Sequence, residues 1–148
     1  MKPVFIIFIL LAFMVPQSGS YRLEVNITGI NPQKGEMYLS LHNKPKYFQV
    51  PDSAFRKVII KIRSESETAV FKNLPAGKYA LAIFHDMNDN AVLDATEIGI
   101  PTEGYAFSGK KKGPGRPHFE ESSFELEADT TIGIKMLYHP LPAQNKPE

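Results

Sequence analysis

Residues 85–94, "HDMNDNAVLD", set Asp86, Asn88 and Asn90 two apart and follow them with Asp94. Short oxygen-bearing side chains at alternate positions let one tight loop wrap a hard cation, and calcium takes six to eight oxygens. Counted from Asp86 as position one, Asn88 and Asn90 fall on positions three and five. Val92 falls on seven, where only a backbone carbonyl is needed, Asp94 on nine and Glu97 on twelve. This is the order of a twelve-residue calcium loop.

Two features depart from that pattern. Ala91 stands at position six, where glycine takes a positive φ at low cost. A strand-like run, "KYALAIF", leads in, and Gly99, Pro101 and Gly104 forbid a continuous helix leading out. A paired EF-hand is therefore excluded. The expectation is a single calcium-stabilised loop over residues 86–97, with a metal-free cluster of Asp- and Asn-capped turns as the other reading. Two of the three side chains at positions one, three and five are neutral, so the expected affinity is weak, on the order of 10⁻⁴–10⁻³ M.

Other chemistries fit less well. His85 beside Asp86 resembles a general base with a carboxylate neighbour, but adjacent strand residues point to opposite faces. His85 is instead expected to anchor the base of the loop by hydrogen bonds. His42, His85, His118 and His139 have no transition-metal spacing. No serine or threonine sits in a nucleophile elbow, and there is no cysteine. Glu103, Glu120 and Glu121 are acidic candidates for a glycosidase pair, but their spacing singles out none of them. Tyr105, Phe107 and Phe119 either pin the loop to the scaffold or form a ligand platform. "GKKKGPGRP" supplies Lys110, Lys111, Lys112 and Arg116, with a Gly-Arg-Pro core suited to a narrow DNA groove. In a neutral, exported chain it reads as a solvated loop tip, with acidic glycans or lipid head groups as its alternative contacts.

The elements that must position these residues are strands. "RLEVNITGI", "EMYLSLHN", "RKVIIKIRS", "ETAVFKNL", "SSFELEA" and "TIGIKMLYH" alternate apolar and polar residues, the period of a half-buried strand. "YALAIFHD" is apolar on both faces except at its end, as a central strand is. No segment holds a helical period. Seven short strands with turn signals between them predict a seven-stranded antiparallel β-sandwich, immunoglobulin-like in kind, and "LPAGKYAL" resembles a strand-turn-strand element of transthyretin-like sandwiches. A small closed barrel is the alternative. The stretch 87–121 is far longer than an ordinary connection of ~4–6 residues, and such loops tend to carry function.

The chain begins with one lysine and an uninterrupted apolar run over 4–15, followed by small and polar residues to Ser20. This reads as a signal peptide over 1–20, too short to span a bilayer comfortably, which takes ~20 apolar residues, with a retained signal anchor as the other reading. A β-sandwich domain over 21–140 and a polar, proline-rich, disordered tail over 141–148 are expected to follow. The chain has 17 basic and 16 acidic residues, and losing Lys2 with the signal balances them. Such neutrality leaves no broad electrostatic footprint for nucleic acid. Without cysteine there is neither a disulfide framework nor a lipid anchor. The expected product is a periplasmic or secreted bacterial protein with no stable membrane insertion after signal cleavage.

"FKNLPAGKYALAIFHDMNDNAVLDATEIGIPTEGYAFSG", followed by "PHFEESSFEL", resembles domain-of-unknown-function family 2141, whose members are exported bacterial proteins. The shared pattern falls on His85, Asp86, Asn88, Asn90, Leu93, Asp94, Gly99, Pro101, Glu103, Gly104, Phe107 and Ser108. Ala91 and Ala106 stand where the family usually has glycine. Glu103 belongs to the pattern and Glu97 does not, so Glu103 joins the candidate ligands. The resemblance implies export, a β-sandwich and a functional loop, but no substrate. Together these readings point to an exported binding or accessory module for an unknown extracytoplasmic ligand, glycan or protein. A hydrolase acting on a carbohydrate or ester at the same loop is the alternative.

Overall fold

The computed structural model describes residues 19–109 and 116–140. Residues 1–18 of the expected signal peptide, Lys110, Lys111, Lys112 and the expected tail 141–148 lie outside the described residues.

Alternation along the chain becomes burial of one face. On β1 (Ser20–Thr28), Leu23, Val25 and Ile27 are buried, and on β2 (Glu36–His42) Met37, Leu39 and Leu41 are. β3 (Arg56–Lys61) follows a connection that contains two short 3₁₀ turns, Pro45–Tyr47 and Pro51–Ser53. β4 (Ser66–Pro75) and β5 (Gly77–Asp86) are separated by Ala76 alone. Then come β6 (Gly104–Phe107), one helical turn α1 (Phe119–Ser122), β7 (Ser123–Leu126) and β8 (Thr130–Lys135). Among the described residues no helix is long and apolar enough to cross a membrane.

The strands form two sheets. One has the order β4-β1-β8 and the other β3-β2-β5-β6, with β7 also paired to β5. β6 runs beside Ala82–His85 and β7 beside Gly77–Ala80, so the two short strands share one edge of β5. At the break between them, Ser108 Oγ accepts the Leu81 N–H at 2.7 Å and donates to the Ser122 carbonyl at 2.5 Å. The Ser108 N–H donates to the Leu81 carbonyl at 3.0 Å, so this one residue keeps the β5 edge hydrogen-bonded where no strand covers it. The inward faces of both sheets contribute to one hydrophobic cluster, including Leu23, Ile27, Leu39, Phe71, Leu81 and Ile134. Each fully buried aliphatic side chain stabilises the fold by about 1.5–3 kcal/mol.

Two expectations need correction. Eight strands are described, not seven: β6 lies inside the stretch read as loop. Its four residues are too few to display alternation, and only the partner β5 makes them a strand. The sheets are also not wholly antiparallel, because β1 and β8 run parallel, Leu23 opposite Thr130 through Thr28 opposite Lys135. The chain leaves β7 in one sheet and crosses to the other before entering beside β1. Asp129 fixes that entry by accepting the Arg22 N–H at 2.8 Å.

Candidate functional site

The end of β5 places the two adjacent candidates on opposite sides, and both are fully buried. His85 faces the turn between β1 and β2. Its Nε2 lies 2.7 Å from the Lys34 carbonyl, which can only accept, so Nε2 carries the proton. Nδ1 therefore accepts from the Tyr138 hydroxyl at 2.8 Å, and that hydroxyl accepts the Asn31 N–H at 3.0 Å. Burial pushes the Tyr138 phenol above its ordinary pKa, and the Asn31 N–H opposes the shift. Both imidazole nitrogens are engaged in holding strand ends together.

Two glycines permit this packing. Gly35 has φ +76°, and a Cβ there would run into the Asp86 carbonyl. Gly104 pairs with His85 across the sheet, and a Cβ there would strike the Tyr138 ring. Gly104 is thus explained by close approach, a reason sequence spacing does not reveal.

Asp86 faces the loop. Its Oδ1 accepts the N–H groups of Asn88 and Asn90 at 3.3 and 3.2 Å, and its Oδ2 accepts the Ala91 N–H at 2.7 Å. Asp89 and Ala91 take left-handed backbone, with φ of 60° and 62°. Ala91 thus adopts the conformation expected of glycine at that position. Glu103, 3% exposed, accepts the Met87 N–H at 2.8 Å and the Asp94 N–H at 3.1 Å, one on each oxygen. One carboxylate therefore clamps the start of the loop to its far side.

The spacing-derived ligands are only partly brought together. The Asn88 and Asn90 amides both donate to Asp94 Oδ2, at 2.7 and 2.9 Å. Asn90 Oδ1 accepts the Val92 N–H at 2.9 Å, and the Val92 side chain is exposed. Asp86, Asn88, Asn90 and Asp94 thus belong to one hydrogen-bonded cluster. Glu97 sits apart, in a small hairpin closed by the Ala95–Pro101 bridge. There it lines a groove of about 620 Å³ with Ile98, Ile100 and His139. Among the described residues, no three His, Asp or Glu side chains form a metal-binding group.

The outward face of the five-stranded sheet holds residues that the loop motif does not point to. Ile59, Tyr38, Phe84 and Tyr105 form one row across β3, β2, β5 and β6. Tyr38 and Phe84 stack at 4.7 Å and 9°. Tyr105 stacks on His139, and its hydroxyl lies 2.8 Å from His139 Nε2. Next to this row, Gly35, Glu36, Tyr38, Lys61 and Asp89 line a polar pocket of about 300 Å³. Burial, the Glu36 hydrogen bond and the negative charges of Glu36, Asp86 and Asp89 raise the Tyr38 hydroxyl above its usual pKa. The signal for this face was available: with Met37, Leu39 and Leu41 inward, Tyr38 must point outward. Of the three loop aromatics, Phe119 is buried, while Tyr105 and Phe107 are half-buried.

The chain matches the family DUF2141, described as an uncharacterised protein conserved in bacteria, over residues 25–133, and belongs to that family. No curated protein matches it. No solved structure matches it.

Proposed function

We propose that this family member is an exported β-sandwich module, transthyretin-like or immunoglobulin-like, that binds an extracytoplasmic glycan or protein in the periplasm or outside the cell. One observation carries this reading: the polar groups best suited to chemistry are engaged in holding backbone. His85 uses both nitrogens, Asp86 caps three N–H groups and Glu103 clamps two. The half-buried row Tyr38, Phe84 and Tyr105 is left to meet a ligand, as aromatic faces do in binding sites.

Calcium belongs to the same proposal. Asp86, Asn88, Asn90 and Asp94 would hold the ion, because amides that donate to Asp94 can turn their carbonyl oxygens to the same place. Calcium would join the loop's oxygens and stabilise it. Glu103 borders the same loop through the Met87 and Asp94 N–H groups and stays a candidate ligand, whereas Glu97 stands outside the cluster.

Hydrolysis of a carbohydrate or ester is the second reading, favoured by Glu36 and Asp89 opening into one pocket with Lys61 and Tyr38. The deciding experiment pairs a glycan and peptide binding array with a broad hydrolase screen on the purified protein. Binding that Tyr38→Ala or Phe84→Ala removes, without turnover, supports the module. Turnover removed by Glu36→Gln or Asp89→Asn without unfolding overturns it.

A further inference from the structure

His42 ends β2 and points to the outward face of the five-stranded sheet, opposite Ala80 of β5. Its ring is 1% exposed, and among the described residues neither Nδ1 nor Nε2 has a hydrogen-bond partner. Buried polar groups are nearly always paired, so two orphaned nitrogens on one ring need an explanation. The ring is covered by Phe48, which meets it edge-on at 5.6 Å. Phe48 also contacts Phe107 at 6.0 Å and Phe119 at 5.8 Å. Phe48 belongs to the connection 43–55, which lies over this end of the sheet. Gln49 tethers that connection by donating to the Pro117 carbonyl at 2.6 Å, and Phe55 N–H donates to the Leu41 carbonyl at 2.8 Å.

Among the described residues, the charged groups on the surrounding elements leave the ring without a counter-ion. Lys57 of β3 repels a charge on it and is itself 3.3 Å from Asp52 of the connection. Lys44 and Lys46 of the connection are basic, and Lys46 lies over the Tyr47 ring. Arg56 lies over the Phe55 ring. Lys78 of β5 is paired with Glu120 of α1 and stands opposite Glu125 of β7. Glu121 accepts the His118 N–H at 2.9 Å. None of these groups hydrogen-bonds to either His42 nitrogen.

We propose that His42 is an acid-operated latch: protonation of its ring releases the connection 43–55, with Phe48, and uncovers Phe107 and Phe119. A neutral imidazole fits an aromatic box, but an imidazolium without a partner does not. Only movement of the connection brings water to the charge. Burial first, and then Lys57, push the His42 pKa below its ordinary value of 6.5. The sign follows: the closed form is fully stable above 6.5 and loses stability as pH falls through the lowered value.

Hydrogen exchange of the full chain, corrected for intrinsic rates, tests the latch. Amides of 43–55 should lose about tenfold protection between about pH 7.5 and about pH 5, while β1 and β5 keep theirs. His42→Phe, which keeps a flat ring without a titrating nitrogen, should stay protected at both. Phe48→Ala should open the connection already at about pH 7.5. The opening should share its midpoint with the His42 ring resonance. Equal wild-type protection at both pH values, the same loss in His42→Phe, or a midpoint tracking His118 or His139 would overturn the proposal. Should His42→Phe fail to fold, the wild-type response and Phe48→Ala decide.

Discussion

His85 and Glu103 do at the residue scale what the loop as a whole depends on. Removing the imidazole in His85→Ala leaves the Lys34 carbonyl without its donor and the Tyr138 hydroxyl with only the Asn31 N–H. The expected loss is about 2–3 kcal/mol of unfolding free energy, read from urea denaturation. Glu103→Gln keeps size but replaces one accepting oxygen with an amide that faces an N–H donor. It is expected to cost about 1.5–3 kcal/mol, the range for hydrogen bonds to a charged group. A Glu103→Gln midpoint equal to wild type would show that the clamp contributes nothing. His85 was legible from its place at the strand end and Glu103 only through the family resemblance, but their partners were not. Lys34, Tyr138, Met87 and Asp94 are brought to them by packing across distant segments, which no local spacing encodes.

At the scale of elements, the loop 86–103 is a set of turns fixed from inside by side chains. Ala91 holds a left-handed backbone where a Cβ is disfavoured by about 1–2 kcal/mol. Part of that is offset by the extra freedom glycine has when unfolded. Ala91→Gly is therefore expected to stabilise by about 0.5–1 kcal/mol, seen as a raised melting temperature. Gly35→Ala should do the opposite and disrupt the junction, since its Cβ would meet the Asp86 carbonyl. Calcium is tested on the same element. A ligand in hundredfold excess over its Kd stabilises the folded state by about 2.7 kcal/mol. Millimolar calcium should raise the melting temperature over that in chelator. Asp94→Ala should abolish the rise, and Glu97→Gln should leave it intact. Superimposable melting curves with calcium and chelator would exclude a site of useful affinity.

The whole molecule rests on one hydrophobic cluster shared by both sheets. Neither sheet has a core of its own, so unfolding should be a single cooperative transition. Far-UV and near-UV circular dichroism are expected to give coincident denaturation curves, and separated midpoints would refute the shared core. The parallel pairing of β1 with β8 joins the two ends of the described domain in one sheet. Native-state exchange should therefore show β8 opening together with β1, not fraying as a terminal strand.

Period-two alternation determined the inward faces of most strands from the sequence alone, because side-chain direction alternates wherever a strand forms. The punctuation by glycine and proline likewise ruled out a continuous helix leading directly out of the loop, and the Asp and Asn rhythm marked the loop. Tertiary structure decided the rest. β6 exists because β5 offers it an unpaired edge, and β8 is parallel because the chain re-enters the first sheet at the end where β1 begins. Spacing placed Asp86, Asn88, Asn90, Asp94 and Glu97 on one ring of ligands, because a linear count assumes that the loop keeps coiling. The Ala95–Pro101 bridge turns the chain away, carrying Glu97 to a separate groove. The backbone N–H groups of the turn, which the sequence cannot orient, claim the Asp86 oxygens.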